Sequence, residues 1–338
     1  MYSDEDLQGA VAAGIISPET AKALRAYFAT ATSPIVDEEQ FRLVTSFNDI
    51  FVSIAAILFL TGCAWAGGSI APGLGAALVT AAAWGMAEFF TAKRRMALPS
   101  ILLLIAFVGG LFATSITILL PSGHIDESNR TGMALAALSS AIAGAGAWLH
   151  WRRFHVPITV AAGVAALTGV IFGLIAAAVP SFSSFALPLM LASGLGIFIL
   201  AMRWDISDPE RQTRRADVAF WLHLLAAPMI VHPIFALLGL TQGATSISLA
   251  GLVIVIYLAL GVIALLIDRR ALMVSALAYV LAAMGALFRE FGAVSLNLAI
   301  TALVIGSALL LLSAFWHHAR AWLVQRAPAG LQVRLPAL

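Results

Sequence analysis

The segment FWLHLLAAPMIVHPIF, residues 220–235, is apolar enough to cross a bilayer yet carries two histidines and two prolines. An ionisable side chain inside a membrane helix is costly, so His223 and His232 are candidates for handling a proton or a polar solute. If the helix starts near residue 216, His223 lies about 10 Å and His232 about 24 Å along it, at 1.5 Å per residue. Nine residues of undistorted helix also turn the two rings about 180° apart. One metal ion cannot be held by both, because ligands on one helix need i, i+3 or i, i+4 spacing. Pro228 and Pro233 each delete a backbone hydrogen bond and crowd the preceding turn, freeing the carbonyls of Leu224 and Met229. This is the span expected to bend or break.

Depth sorts the other polar candidates into two layers. An inner layer holds Asp49, Asp217 and His223, and an outer layer holds His232, Arg289, Glu290 and Asn297. The competing reading of each layer is a set of interhelical hydrogen bonds that fixes helix contacts. Glu88, close to Lys93, Arg94 and Arg95, reads as an ion pair pinning a helix end at the interface. Serines and threonines lack a nucleophile setting, and glycine-rich stretches such as AIAGAGAW and SGLGIF suit close helix packing rather than a phosphate loop. The single cysteine, Cys63, excludes an intrachain disulfide, and no zinc-type spacing occurs. No catalytic residue, metal or cofactor is expected, and the chain is not read as an enzyme.

The elements that must position these residues follow from composition. The chain has 338 residues, 61% hydrophobic and 11% charged, with a mean hydropathy of +0.98. Soluble domains carry about 25% charged residues. A chain this apolar cannot cover its own surface in water, so its solvent is lipid. Runs of about 20 apolar residues predict about ten transmembrane helices, near 48–66, 70–90, 97–119, 132–150, 156–178, 184–202, 216–239, 246–267, 271–288 and 292–316. The expected fold class is therefore an all-α, polytopic membrane protein. With these spans, every Lys and Arg except Arg130 and Arg289 falls on one side, 17 of the 19 bases. Positive loops are retained in the cytoplasm, which places both termini there. The net charge of +2 thus reports orientation, and nucleic acid is not an expected partner.

Three parts are expected: a cytoplasmic two-helix hairpin over 1–36, a ten-helix domain over 37–316, and a basic amphipathic tail over 317–338 lying on the cytoplasmic leaflet. In the hairpin, Gly14 can end a first helix, while Ser17, Pro18 and Glu19 supply a cap, a first-turn proline and a first-turn acid for a second. A further helix start at Asp37, with Gln40 three residues on, leads into the first span. The exposed apolar surface of residues 3–29 is a possible protein-binding face. The stretch AVAAGIISPETAKALRAY, followed by many spans, resembles a group of bacterial membrane proteins of unknown function with a short GIIS-type N-terminal helical hairpin. That resemblance implies a bacterial inner-membrane protein and transfers no catalytic residue. Ten spans are also similar in number to drug/metabolite-type transporters, built from inverted five-span repeats, although the second span lacks a break to match the seventh.

Two functions remain open on the sequence. One is transport of a small solute or ion, for which short loops, an interrupted helix and buried ionisable groups argue. The other is a scaffold or sensor that binds a partner through the hairpin. A lipid-modifying enzyme would need more acids and histidines at one depth than Asp49, Asp217 and His223 supply.

Overall fold

A computed structural model describes residues 11–31, 47–120, 130–208, 211, 213–239, 247–277, 303, 306–307, 311–332 and 335. Arg289, Glu290 and Asn297 lie outside the described residues, as do most of the last two expected spans, the first helix of the hairpin up to residue 10, and the Asp37 helix start. The chain divides into two compact units, Met1–Phe41 and Arg42–Leu338.

In the first unit, α1 (Pro18–Ala31) starts as the sequence predicts. Gly14 takes φ 68°, and the Ser17 hydroxyl accepts the Thr20 amide at 3.1 Å.

In the second unit, every described element is helical: α2 (Phe47–Gly68), α3 (Leu74–Phe90), α4 (Ala97–Leu119), α5 (Arg130–Phe154), α6 (Ile158–Ala178), α7 (Phe182–Ile206), α8 (Arg214–Leu237), α9 (Ile247–Ile267), α10 (Trp316–Val324) and the single turn α11 (Ala329–Gln332). Between residues 47 and 267, each expected span falls on one of these helices. Six of them, α2 and α4 to α8, are long and apolar enough to cross a membrane, and α3 is shorter. The chain is thus a multi-pass membrane protein. Large apolar side chains stay exposed along α2, among them Phe51, Ile54, Leu58, Phe59 and Trp65, which suits contact with lipid.

Lipid tails are as apolar as leucine, so close packing rather than expulsion of water holds such helices together. The sequence accordingly places small residues where backbones cross. A side chain on Gly67 of α2 would meet the Gly75 backbone of α3 at 2.6 Å. Pairs α3–α4, α5–α6 and α7–α8 pack side by side, and α8 also packs on α6. The largest core cluster gathers around α8: Val218, Leu222, Ala226, Val231 and Phe235, with Ile197 and Ala201 of α7 and Val253 and Leu260 of α9.

The turns differ between the two ends of the bundle. Gly73 and Gly239 adopt positive φ at one end, where glycine carries no steric cost. At the basic end the same backbone conformation is taken by Arg95, His155, Arg211 and Asp268, with φ between 52° and 59°. An L-residue gives up about 1–2 kcal/mol in this conformation relative to glycine. Four charged or ionisable side chains stand at turns that glycine would make more easily.

Candidate functional site

The site is built on α8, the most enclosed of the six long helices. Buried residues make up 56% of its most apolar window, against 17–39% in the other five. Helix α8 runs without a break from Arg214 to Leu237 through both Pro228 and Pro233, so of the expected bend or break the break is absent. The seam with α7 explains how this is tolerated. A Cβ on Gly194 would lie 2.9 Å from the Met229 oxygen, the carbonyl that Pro233 leaves unpaired within the helix. The glycine lets the α7 backbone approach that carbonyl directly. The buried residues of α7 are Gly194, Ile197, Ala201 and Asp205, a 3-4-4 stripe that faces one way. It ends in an acid.

Asp205 is 2% exposed and is gripped from two sides. Nη2 of Arg269 donates to Asp205 Oδ1 at 2.6 Å, and Nε reaches Oδ2 at 3.4 Å. Nε2 of His223 bonds Asp205 Oδ2 at 2.9 Å. With a carboxylate as acceptor, the proton sits on Nε2. Arg269 and His223 are 3% and 2% exposed, so the triad is sealed from solvent. Phe198 lies edge-on to the His223 ring at 5.2 Å, and Nη2 of Arg269 also donates to the Ala216 carbonyl in the first turn of α8 at 3.3 Å. One polar atom of the triad lacks a partner: the buried Nδ1 of His223.

A second carboxylate adjoins the first through the chain. Asp268 ends α9 in the left-handed conformation, and the Arg269 amide closes the turn onto the Ala264 carbonyl at 2.9 Å. The turn sends the side chains of Asp268 and Arg269 to different partners. Asp268 accepts from Arg211 Nη1 at 2.7 Å and from the indole N–H of Trp316 at 2.9 Å, and Arg320 Nε lies 3.5 Å away. Burial, followed by the nearby Arg269 charge, pushes the Arg211 guanidinium below its usual value. Trp316, Arg320 and Val324 are the buried face of α10, one residue per turn. That face docks on protein, where Trp316 packs with Ala264 and Met273.

The expected inner layer is only partly brought together. His223 is in the triad, but its partners are Asp205 and Arg269. Asp217 points from the first turn of α8 into a cleft on the same end of the bundle. Asp49 is buried on α2, a helix that packs on α3 and α4 and not beside His223. His232 lies half-buried nine residues beyond His223, and its expected outer partners are outside the described residues. Glu88 pairs with Arg153 of α5 at 2.6 and 2.9 Å instead of the bases next to it. The sequence reading missed Asp205, Asp268 and Arg269, which it took as loop charges. It also missed His150, fully buried among Trp84, Phe107 and Phe154, with Nδ1 at 3.2 Å from the Thr159 hydroxyl. Among the described residues, no group of His, Cys, Asp and Glu is arranged to hold a metal ion.

Such an arrangement can hold charge in a membrane domain and exchange it. The triad ties the ends of α7, α8 and α9 together through ion pairs, and imidazole is the member whose ring can both donate and accept a hydrogen bond. No protein-family model, no curated protein and no solved structure matches the chain.

Proposed function

We propose that this protein is a transporter of a small solute in a bacterial inner membrane, with both termini cytoplasmic, and that the Asp205–Arg269–His223 triad is its gate. The observation that carries the reading is the unpartnered Nδ1 of His223, buried within an ion-paired triad on the most enclosed helix. A buried polar atom without a partner is rare in a static fold and marks a place where a proton, water or solute is received. Ionisable groups at such sites in membrane domains serve as proton relays and substrate contacts. The segregation of 17 of the 19 bases to one side supports the orientation.

Proteoliposomes on a solid-supported membrane test this. Rapid addition of inorganic phosphate, small carboxylates, amino acids, Na⁺ or K⁺ is expected to give a transient current with at least one of them. His223→Gln, which keeps a donor towards Asp205 and removes the imidazole ring, is expected to lower that current roughly tenfold, the lower part of the range for a proton-transferring side chain. Silence with every solute, or currents unchanged in the variant, contradicts the proposal.

A scaffold or sensor is the second reading, favoured by the unbroken course of α8 through its prolines. It predicts no current with any of these solutes and a protein partner retained on residues 3–29.

A further inference from the structure

The basic end of the bundle holds a second feature that the triad does not use. An open cleft of about 520 Å³ lies where the ends of α3, α4, α5, α6 and α8 meet. Its polar lining is Thr91, Arg95, Ser100, Arg153, His155, Arg214 and Asp217, with the Ser100 hydroxyl already donating to the Met96 carbonyl. Three guanidinium groups face one carboxylate there. The starts of α4, α6 and α8 also border it, through Met96 and Ala97, Val156 and Pro157, and Arg214. Helix N-termini present unsatisfied amides and a partial positive charge, so three of them around one cleft favour an anion.

The observation that points to a ligand is independent of the helix ends. Thr91, at the C-terminus of α3, is only 8% exposed, and its hydroxyl has no hydrogen-bond partner. A helix-borne threonine usually satisfies its hydroxyl on the carbonyl one turn back, as Thr80 does with Ala76 at 2.9 Å in the same helix. Thr91 lines the cleft with that capacity unspent, although the hydroxyl oxygen itself is buried in the cleft wall. Arg95 and His155, from two different turns, both hold the left-handed conformation at φ 54°. Glycine would relieve either turn but would remove a cationic or donor side chain from the cleft. Arg153 is held in place by its bidentate bond to Glu88, which leaves Arg95 and Arg214 as the exposed cations of the lining, with Asp217 close enough to Arg214 to feel its charge.

We propose that this cleft binds a phosphate anion, as a phosphoryl group ligated by Arg95 and Arg214 with the Thr91 hydroxyl as a further donor. Guanidinium forks match the oxygens of phosphate better than those of a spherical anion. The volume, within the range of small-molecule sites, accepts a phosphoryl group with an attached small polar moiety. Two sources share this chemistry: inorganic phosphate or a small phosphate ester from water, and the headgroup of an acidic phospholipid. The inference concerns binding and stands whether or not the chain moves solute.

The full-length protein is reconstituted into nanodiscs of phosphatidylcholine alone and titrated with inorganic phosphate by calorimetry. In parallel, protein from phosphatidylglycerol-containing membranes is analysed by native mass spectrometry for retained lipid. One of the two ligands is expected to bind. Arg95→Gln and Arg214→Gln, both at exposed positions that leave the core intact, are each expected to weaken it roughly tenfold, the loss of one charge-assisted hydrogen bond. Thr91→Val, which keeps the shape, is expected to weaken it several-fold. Phosphate binding that shows these losses identifies a soluble ligand, and lipid retention that shows them identifies a headgroup; either result supports the site. Absence of both, or binding unchanged in the arginine variants, overturns it.

Discussion

Replacing Arg269 by methionine is expected to cost about 3–5 kcal/mol of stability, the usual result of stripping one partner from a buried ion pair. The size of the effect follows from what is left behind. Asp205 would remain 2% exposed, with His223 as its one remaining partner in the triad. The Ala216 carbonyl would lose its second donor as well. Most of the loss is the desolvation of an uncompensated carboxylate rather than the strength of the pair itself, so removing both charges should restore much of it. The double variant Asp205→Asn, Arg269→Met is therefore expected to be more stable than Arg269→Met alone. Reversible unfolding in mixed micelles measures all three proteins. A loss below about 1 kcal/mol for Arg269→Met, the range of exposed pairs, would show that water reaches this site.

Gly194→Val is the second large effect. The added Cβ would lie 2.8 Å from the Met229 carbonyl carbon and 3.0 Å from Ile230 Cγ1, and the first of these is backbone that cannot rotate aside. Overpacking of this kind costs about 1–3 kcal/mol. Here it also reaches the site, because Gly194 and Asp205 share one face of α7. Moving α7 away from α8 draws the Asp205 carboxylate away from His223 Nε2. Gly196 supplies the control: it is exposed, and a Cβ there meets nothing within 4 Å. Gly196→Val should leave stability within about 0.5 kcal/mol of the parent, as surface substitutions do. Equal losses from the two variants would show that the seam between α7 and α8 is misplaced.

The sequence showed the helices more clearly than the site, for a physical reason. A span announces itself by 20 consecutive apolar residues, and from Phe47 to Ile267 each such run became a helix. The caps at Ser17 and the turn at Gly14 were equally local signals. The triad is different, because Asp205, His223 and Arg269 come from three elements and their association depends on which helix faces which. Bases at span ends were counted for orientation, and that count treats Arg211, Arg269 and Arg320 as hydrated loop charges. All three are buried or nearly so, and each reaches an aspartate at the end of α7 or α9. A usable signal did exist. Acids one or two residues from an arginine, RWD at 203–205 and DRR at 268–270, sit at two span ends on the side of the membrane nearer to His223. The stripe Gly194, Ala201, Asp205 likewise marked a helix face built for close approach and ending in charge. The prolines misled in the opposite direction: local propensity argued for a break in α8, and the glycine of a neighbouring helix made an unbroken course affordable.

If α8 and its triad form a gate, that gate must at times admit water. Ala226 tests this without knowledge of the solute, because it is 0% exposed and lies nearly one turn beyond His223 in the core around α8. A single cysteine at this position, Ala226→Cys with Cys63→Ser, is treated in sealed membranes with a charged, membrane-impermeant thiol reagent. Ser207→Cys, at an exposed position next to the triad, serves as the reference for full access. The thiol at position 226 is expected to react from the arginine-bearing side, more slowly than the reference but to completion. A thiol that stays unmodified while the reference reacts fully would mean that the triad never opens, and the transport reading would fall.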